Sequence, residues 1–309
     1  GLDDGLERLA AAVTARRSDP LGVLVDHVLG ELVDGNGGSD DVAVVAVRLL
    51  PPPLRLDLPG EPVRLAEVRR AVRRWAAGVG LHPDALEDLL LTIGEATGNA
   101  VEHAYRDADV PGRVGVELRV ADAGGVVVSV TDTGSWRPPP TDPGFRGRGL
   151  QIISALAHEV DLSPGPTGTT LRFVFSPAVR SPEVRRRQDA AGQIRLERPL
   201  DEEPVTLDVN DAQGRRCLAL IGDLDLAGTT AIREPVLAAL DDPRPITIDM
   251  TRLGFVTSVG AGLLLEITER ARPHGDLDVL LPVTGPARRM LDLTGLASAL
   301  RPGSDSSPH

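Results

Sequence analysis

Apolar residues recur at helical spacing at the start of the chain. Leu6, Leu9 and Val13 make one stripe, and Leu21, Val25, Val28, Leu29 and Leu32 make another. Asp34-Gly35-Asn36-Gly37-Gly38 breaks this rhythm. Val42 to Leu50 then alternates as a strand, and Pro51-Pro52-Pro53 closes the segment. Two helices and a strand are too few for a core of their own, so residues 1–50 read as a fragment of a larger unit.

A second segment, 54–177, opens with an Arg-rich amphipathic helix over Leu65 to Val79. A longer helix follows from Pro83 to Ala104, with Leu86, Leu89, Leu90 and Ile93 on one face. Strands are expected over Arg113 to Val120 and Gly125 to Asp132, a helix from Leu150 to Leu156, and a hairpin through Val160 and Thr169 to Phe175. Residues 178–203 hold six Arg and six acidic residues with few large apolar ones, which marks a solvated linker. In 204–300, strands at Val205–Val209, Leu218–Gly222, Ile246–Asp249 and Leu277–Leu281 alternate with helices at Thr229–Leu240, Gly260–Ala271 and Ala287–Leu293. That alternation predicts an α/β layer fold with some parallel pairing. Residues 301–309 are expected to be a disordered tail.

Composition narrows the chemistry. The chain of 309 residues is 41% hydrophobic and 25% charged, enough for a packed core, while aromatics are only 2%. All 33 basic residues are Arg. The absence of Lys excludes a P-loop, a protein-kinase fold and Schiff-base chemistry. Any phosphate must be met by Arg, backbone N–H groups or a metal. A net charge of −12 argues against nucleic acid. The single Cys217 excludes an intrachain disulfide. No apolar run approaches the ~18 residues of a membrane helix and no signal peptide opens the chain, so a cytoplasmic protein is expected. Gly1 in place of Met points to further sequence upstream.

Four short motifs in the second segment converge on nucleotide chemistry. Glu95 and Asn99, four apart on one helix, share a face. A carboxylate accepts protons, and an amide oxygen is a hard ligand suited to Mg²⁺. Asp132-Thr133-Gly134 sets an acid at a strand end beside a glycine that admits a ligand to the backbone. Gly144-Phe145-Arg146-Gly147-Arg148-Gly149-Leu150 opens a helix with N–H groups and Arg side chains suited to phosphates. Gly168-Thr169-Thr170 begins the last strand. Each piece is weak alone; their order and spacing are specific.

Together, Glu95 to Tyr105, Asp132 to Gly134, the lid from Ser135 to Leu150 and Gly168-Thr169-Thr170 resemble the GHKL ATPases, and within them the anti-sigma serine kinases of the SpoIIAB/RsbW type. The resemblance covers about 54–177. It implies ATP and Mg²⁺ as cofactors, with Asn99 ligating Mg²⁺ and Glu95 acting as the base on an acceptor serine. Asp132 would accept from the adenine amino group beside Gly134, with Thr169 nearby. Arg146, Gly147, Arg148 and Gly149 would cradle phosphates. Arg69 falls where the family places an Arg that contacts its protein substrate. His103 reads as a packed or hydrogen-bonded histidine rather than a phosphoacceptor. The same resemblance implies a homodimer through this unit.

In the third segment, Asp249 to Gly262 runs from a strand through a loop into a helix start, with Ser258 two residues before Gly260. A lone hydroxyl there is ordinarily an N-cap, and a phosphate there would be favoured by the helix dipole. Gly222-Asp223-Leu224-Asp225, the Thr257-Ser258-Val259-Gly260 loop and Gly285 to Leu296 resemble the STAS domain of anti-sigma factor antagonists, over about 204–300. By that pattern Ser258 is the phosphorylated serine. The family often has Asp before this serine; here it is Thr257, a minor second acceptor.

Gly38-Ser39-Asp40-Asp41-Val42 resembles the last strand of SpoIIE-like PPM phosphatases, in which Asp40 would ligate Mn²⁺ or Mg²⁺. The other acids of a two-metal centre are missing from the chain, so no phosphatase activity is expected from it. The resemblances together imply an α/β (α+β sandwich) architecture: a GHKL/Bergerat ATPase domain followed by a STAS domain, with a partial PPM segment at the N-terminus. Three functions compete. One is a Mg-ATP-dependent serine kinase fused to its own STAS substrate. Another is a non-catalytic hub that binds a sigma factor or STAS antagonist proteins, with the STAS domain docked on the GHKL domain. The last is an inactive scaffold.

Overall fold

The computed structural model describes residues 2–16, 19, 21–32, 43–104, 112–121, 125–134, 148–165, 167–176, 204–212, 214–241, 244–274 and 277–300. The linker 178–203, the tail 301–309, most of the lid and Asp40 lie outside the described residues.

Helices α1 (Leu2–Arg16) and α2 (Leu21–Leu32) form as their stripes predict and bury a small patch of Ala12, Leu24 and Val28. The expected strand after them is a correction: residues 43–50 join no ladder. Val45 and Leu49 are 88% and 89% exposed. Alternation offers one face for burial, but a strand also needs a neighbour to take its N–H and C=O groups, and none lies beside it among the described residues.

The first sheet runs β1-β2-β3-β5-β4, antiparallel throughout. Its strands are β1 (Leu54–Pro59), β2 (Arg113–Val120), β3 (Val126–Asp132), β4 (His158–Gly165) and β5 (Gly168–Phe175). β1 was not expected from the sequence: its L-R-L-D-L alternation is short and follows three prolines, and β2 holds it as an edge. Leu118, Val128 and Phe173 lie in one row across the sheet, buried beneath the helical layer. That layer is α3 (Leu65–Val79), α4 (Pro83–Ala104) and α5 (Gly149–Leu156).

The second sheet runs β6-β7-β8-β9, from β6 (Thr206–Ala212), β7 (Arg215–Leu224), β8 (Ile246–Val256) and β9 (Leu277–Leu280). β6 and β7 are antiparallel; β7, β8 and β9 are parallel, as the strand–helix alternation predicts. The connecting helices are α6 (Leu226–Ala239), α7 (Ser258–Ala271), α8 (Gly285–Leu293) and α9 (Leu296–Ala299).

Buried apolar residues of the two sheets and their helices merge into one continuous cluster. α4 is the shared element: it packs on β2, β3, β5 and α5, and also on α8 of the second unit. No helix among the described residues is long and apolar enough to cross a membrane.

Candidate functional site

α4 presents Glu95 and Asn99 one turn apart, and the other unit covers Glu95, leaving it 2% exposed. Burial pushes its carboxyl up to about 7, against the downward pull of hydrogen bonds from Ser258 and with a small push from Glu102. Ser258 is the first residue of α7 and is itself 3% exposed. Its hydroxyl donates to Glu95 Oε2 at 2.6 Å, and its backbone N–H donates to Oε1 at 2.7 Å. Both carboxyl oxygens are thus committed to one residue of the other unit, through short hydrogen bonds.

The N-cap of α7 is Thr257, not Ser258. Thr257 Oγ1 accepts from the Gly260 N–H at 3.5 Å and donates to the Leu224 carbonyl at 3.4 Å. This corrects the bland expectation for Ser258. With the cap taken by its neighbour, the serine hydroxyl is released to point at Glu95.

Asp132 ends β3, and its Oδ1 accepts from the N–H groups of Gly134 at 2.9 Å and Thr169 at 3.2 Å. Half-burial raises its carboxyl, and these bonds oppose the rise. α5 begins against α4: a Cβ on Gly149 would stand 2.7 Å from Glu95 Oε2 and 2.9 Å from Asn99 Nδ2, so any side chain there would have to displace the ends of both. Arg148, just before α5, donates to the Thr294 carbonyl of the second unit at 3.4 Å. Arg146 and Gly147 lie outside the described residues, and nothing is described of the His103 side chain. The structure thus brings Glu95, Asn99, Arg148, Gly149 and Ser258 to one seam, and pairs Asp132 with Thr169 in the first sheet.

These donors fit a magnesium nucleotide. Asn99 offers a neutral hard oxygen, Asp132 a held carboxylate for an amino group, and the bare start of α5 its N–H groups. Among the described residues no group of three His, Cys, Asp or Glu could hold a metal unaided. Mg²⁺ at Asn99 would therefore draw its remaining ligands from phosphate oxygens and water.

Arg69 sits on α3, 2% exposed, and reaches across the seam. Nη1 donates to Asp225 Oδ2 at 2.8 Å, and Nη2 to Asp223 Oδ2 at 3.1 Å. Burial raises the Asp223 carboxyl, and Arg69 counters it. Asp225 is doubly used, since its Oδ1 also caps α6 through the Gly228 N–H at 2.9 Å. The Arg69 guanidinium lies over the Phe255 ring, 4.8 Å from its centroid. A second ion pair joins Arg289 Nε of α8 to Asp88 Oδ1 of α4 at 2.9 Å. Asp88, Arg289, Phe255 and Gly94 were not singled out from the sequence. The one signal was Asp88 itself, a carboxylate followed directly by Leu89 to Leu91, which needs a partner once it is buried.

The model of the histidine kinase-like ATPase domain matches residues 58–175, and that of the Mlab, STAS domain matches 205–302. The serine-protein kinase RsbW of Bacillus velezensis is 32% identical over 120 residues, covering 35% of this chain and 75% of that protein. This chain belongs to the RsbW serine-protein kinase family. The Bacillus subtilis RsbW is 30% identical over the same length, with the same coverage. The chain joins an RsbW-type unit to a STAS unit. Among solved structures, the RsbU and RsbW domains of a Mycobacterium tuberculosis protein are 30% identical with a TM-score of 0.34, covering 41% of this chain and 32% of that one. An anti-sigma factor antagonist from Mycobacterium paratuberculosis is 27% identical with a TM-score of 0.29, covering 36% of this chain and 93% of that one.

Proposed function

We propose that this chain is a Mg-ATP-dependent serine kinase whose own STAS serine, Ser258, accepts the phosphoryl group, and that the transfer controls sequestration of a sigma factor. The observation that carries the reading is the 2.6 Å hydrogen bond from the Ser258 hydroxyl to Glu95. An acceptor hydroxyl already donating to a buried carboxylate is oriented for general-base catalysis. Mg-ATP, when bound, would supply the phosphoryl group, and its Mg²⁺ would offset the phosphate charge.

The protein's part is positioning and proton transfer. Glu95 takes the proton as the Ser258 oxygen forms its bond to the γ-phosphorus and the bond to the ADP oxygen breaks. Asn99 would hold Mg²⁺. Asp132 would accept from the adenine amino group, with Gly134 and Thr169 fixing its oxygen. Arg148 and Gly149, with Arg146 and Gly147, would surround the phosphates. Arg69 holds the STAS unit in place through Asp223 and Asp225.

One observation favours a second reading, a binding hub. Arg148 is engaged with Thr294, and Gly149 lies against Glu95 and Asn99, so docking occupies groups that a nucleotide would use. Intact-mass spectrometry of the chain before and after Mg-ATP, with site mapping, separates the two. One added phosphate on Ser258 supports the kinase. No mass change, with ATP shown to bind, overturns it in favour of the hub.

A further inference from the structure

We infer that Phe255 and Gly94 form a knob and notch that selects which STAS surface the ATPase unit accepts and sets Ser258 in register with Glu95. The inference rests on the docked transfer proposed above. Phe255 lies near the end of β8, three residues before Ser258, and is fully buried although it stands at the seam between units. Its ring meets α4 at Gly94, the residue directly before Glu95. A Cβ at position 94 would lie 2.8 Å from the ring Cζ and 3.2 Å from Cε1, well inside the ~3.5–4.0 Å of ordinary carbon contact.

The ring has little freedom to retreat. Arg69 lies over it, pinned there by Asp223 and Asp225. Asp223 is the ladder partner of Phe255 between β7 and β8, so clamp and knob come from neighbouring positions of one sheet. Glycine inside a helix is a poor choice on propensity alone. Gly98, one turn later on α4, has nothing within 4 Å of its would-be Cβ, so close approach singles out position 94. The partner class this notch accepts is a STAS surface with a flat aromatic just ahead of its acceptor serine.

The test is a bump and a compensating hole in the full chain, Gly94→Val with and without Phe255→Leu. Two quantities are read: hydrogen-exchange protection of residues 256–260, which reports docking, and the rate of Ser258 phosphorylation. Gly94→Val should lower both by about tenfold to hundredfold, the range that overpacking strain implies, with nucleotide affinity unchanged. Adding Phe255→Leu should return both to the level of Phe255→Leu alone. Undiminished protection in Gly94→Val, or no recovery in the double variant, would overturn the inference. If the unaltered chain never phosphorylates Ser258, the kinase reading fails, and the exchange measurement still decides the knob and notch.

Discussion

The Ser258 hydroxyl and Glu95 Oε2 lie 2.6 Å apart, although 163 positions separate them in the chain. Both residues are buried at the seam. The contact couples two units, each with its own sheet, and five consequences of their docking can be measured.

Glu95→Gln should slow Ser258 phosphorylation by about 10²–10⁴-fold, the usual contribution of a positioned base. The amide keeps the shape and still accepts from the Ser258 N–H, so docking and nucleotide affinity should persist. A time course by intact mass, beside a nucleotide titration, checks both. An unchanged rate would remove Glu95 as the base.

The raised carboxyl of Glu95 gives a pH signature. Between its ordinary 4.5 and about 7 the folded protein holds a proton that the unfolded chain has lost. Stability therefore declines as pH rises across that window and levels off above about 7. In nucleotide-free protein, the melting temperature of the unaltered chain minus that of Glu95→Gln should be greatest near pH 5 and smallest near pH 8. A flat difference would contradict the burial of an ionisable group at this seam.

Arg69→Ala takes the shared cation from two buried carboxylates, leaving Asp225 its Gly228 N–H bond and Asp223 the charge of Arg73. Losing one side of a buried pair costs about 3–5 kcal/mol. Exchange protection at the start of α7 should collapse accordingly. Arg69→Lys should recover only part of it, because an ammonium cannot span both acids or lie flat over Phe255.

Arg289→Ala should do far less. The Arg289 side chain is 32% exposed, although Asp88 opposite is buried. A smaller loss in docking is expected, about 1–3 kcal/mol, because the half-buried Arg289 leaves a path for water to reach the one carboxylate it uncovers. The same exchange measurement, run side by side with Arg69→Ala, tests this ranking. Equal effects would mean that the seam is held together uniformly.

Ser258→Glu sets a second carboxylate against Glu95 in a dry site. Like charges there repel strongly. The units should separate, and the radius of gyration in solution scattering should rise relative to Ser258→Ala, which keeps the backbone N–H bond. No difference between the two variants would show that the seam tolerates added charge.

Much of this arrangement was legible in the sequence because it rests on local pattern. α3 and α4 follow the expected spans residue for residue, since each carries a strong helical stripe. The placing of Glu95 and Asn99 on one face follows from helix period alone. What was not legible depends on partners far away in the chain. Val45 and Leu49 alternate like a strand yet find no neighbour. β1 forms because β2 lies beside it. Thr257 takes the cap that a lone serine at 258 would ordinarily take, and its hydroxyl also bonds the Leu224 carbonyl, far away in the chain. Phe255 read as one more apolar residue, because its role requires a gap at Gly94 that no local window contains.

The Glu95 carboxylate, in accepting from the Ser258 N–H, stands as a foreign anion at the start of α7. A helix start favours one negative charge there. A phosphate on Ser258 would seek the same place, and the two anions cannot share it. On the proposed reading the chain has a single anion seat with two mutually exclusive occupants, the kinase's own carboxylate before transfer and the phosphate after it. Such a seat works as a one-bit register: it is written by ATP, and it holds its state until the phosphate is removed.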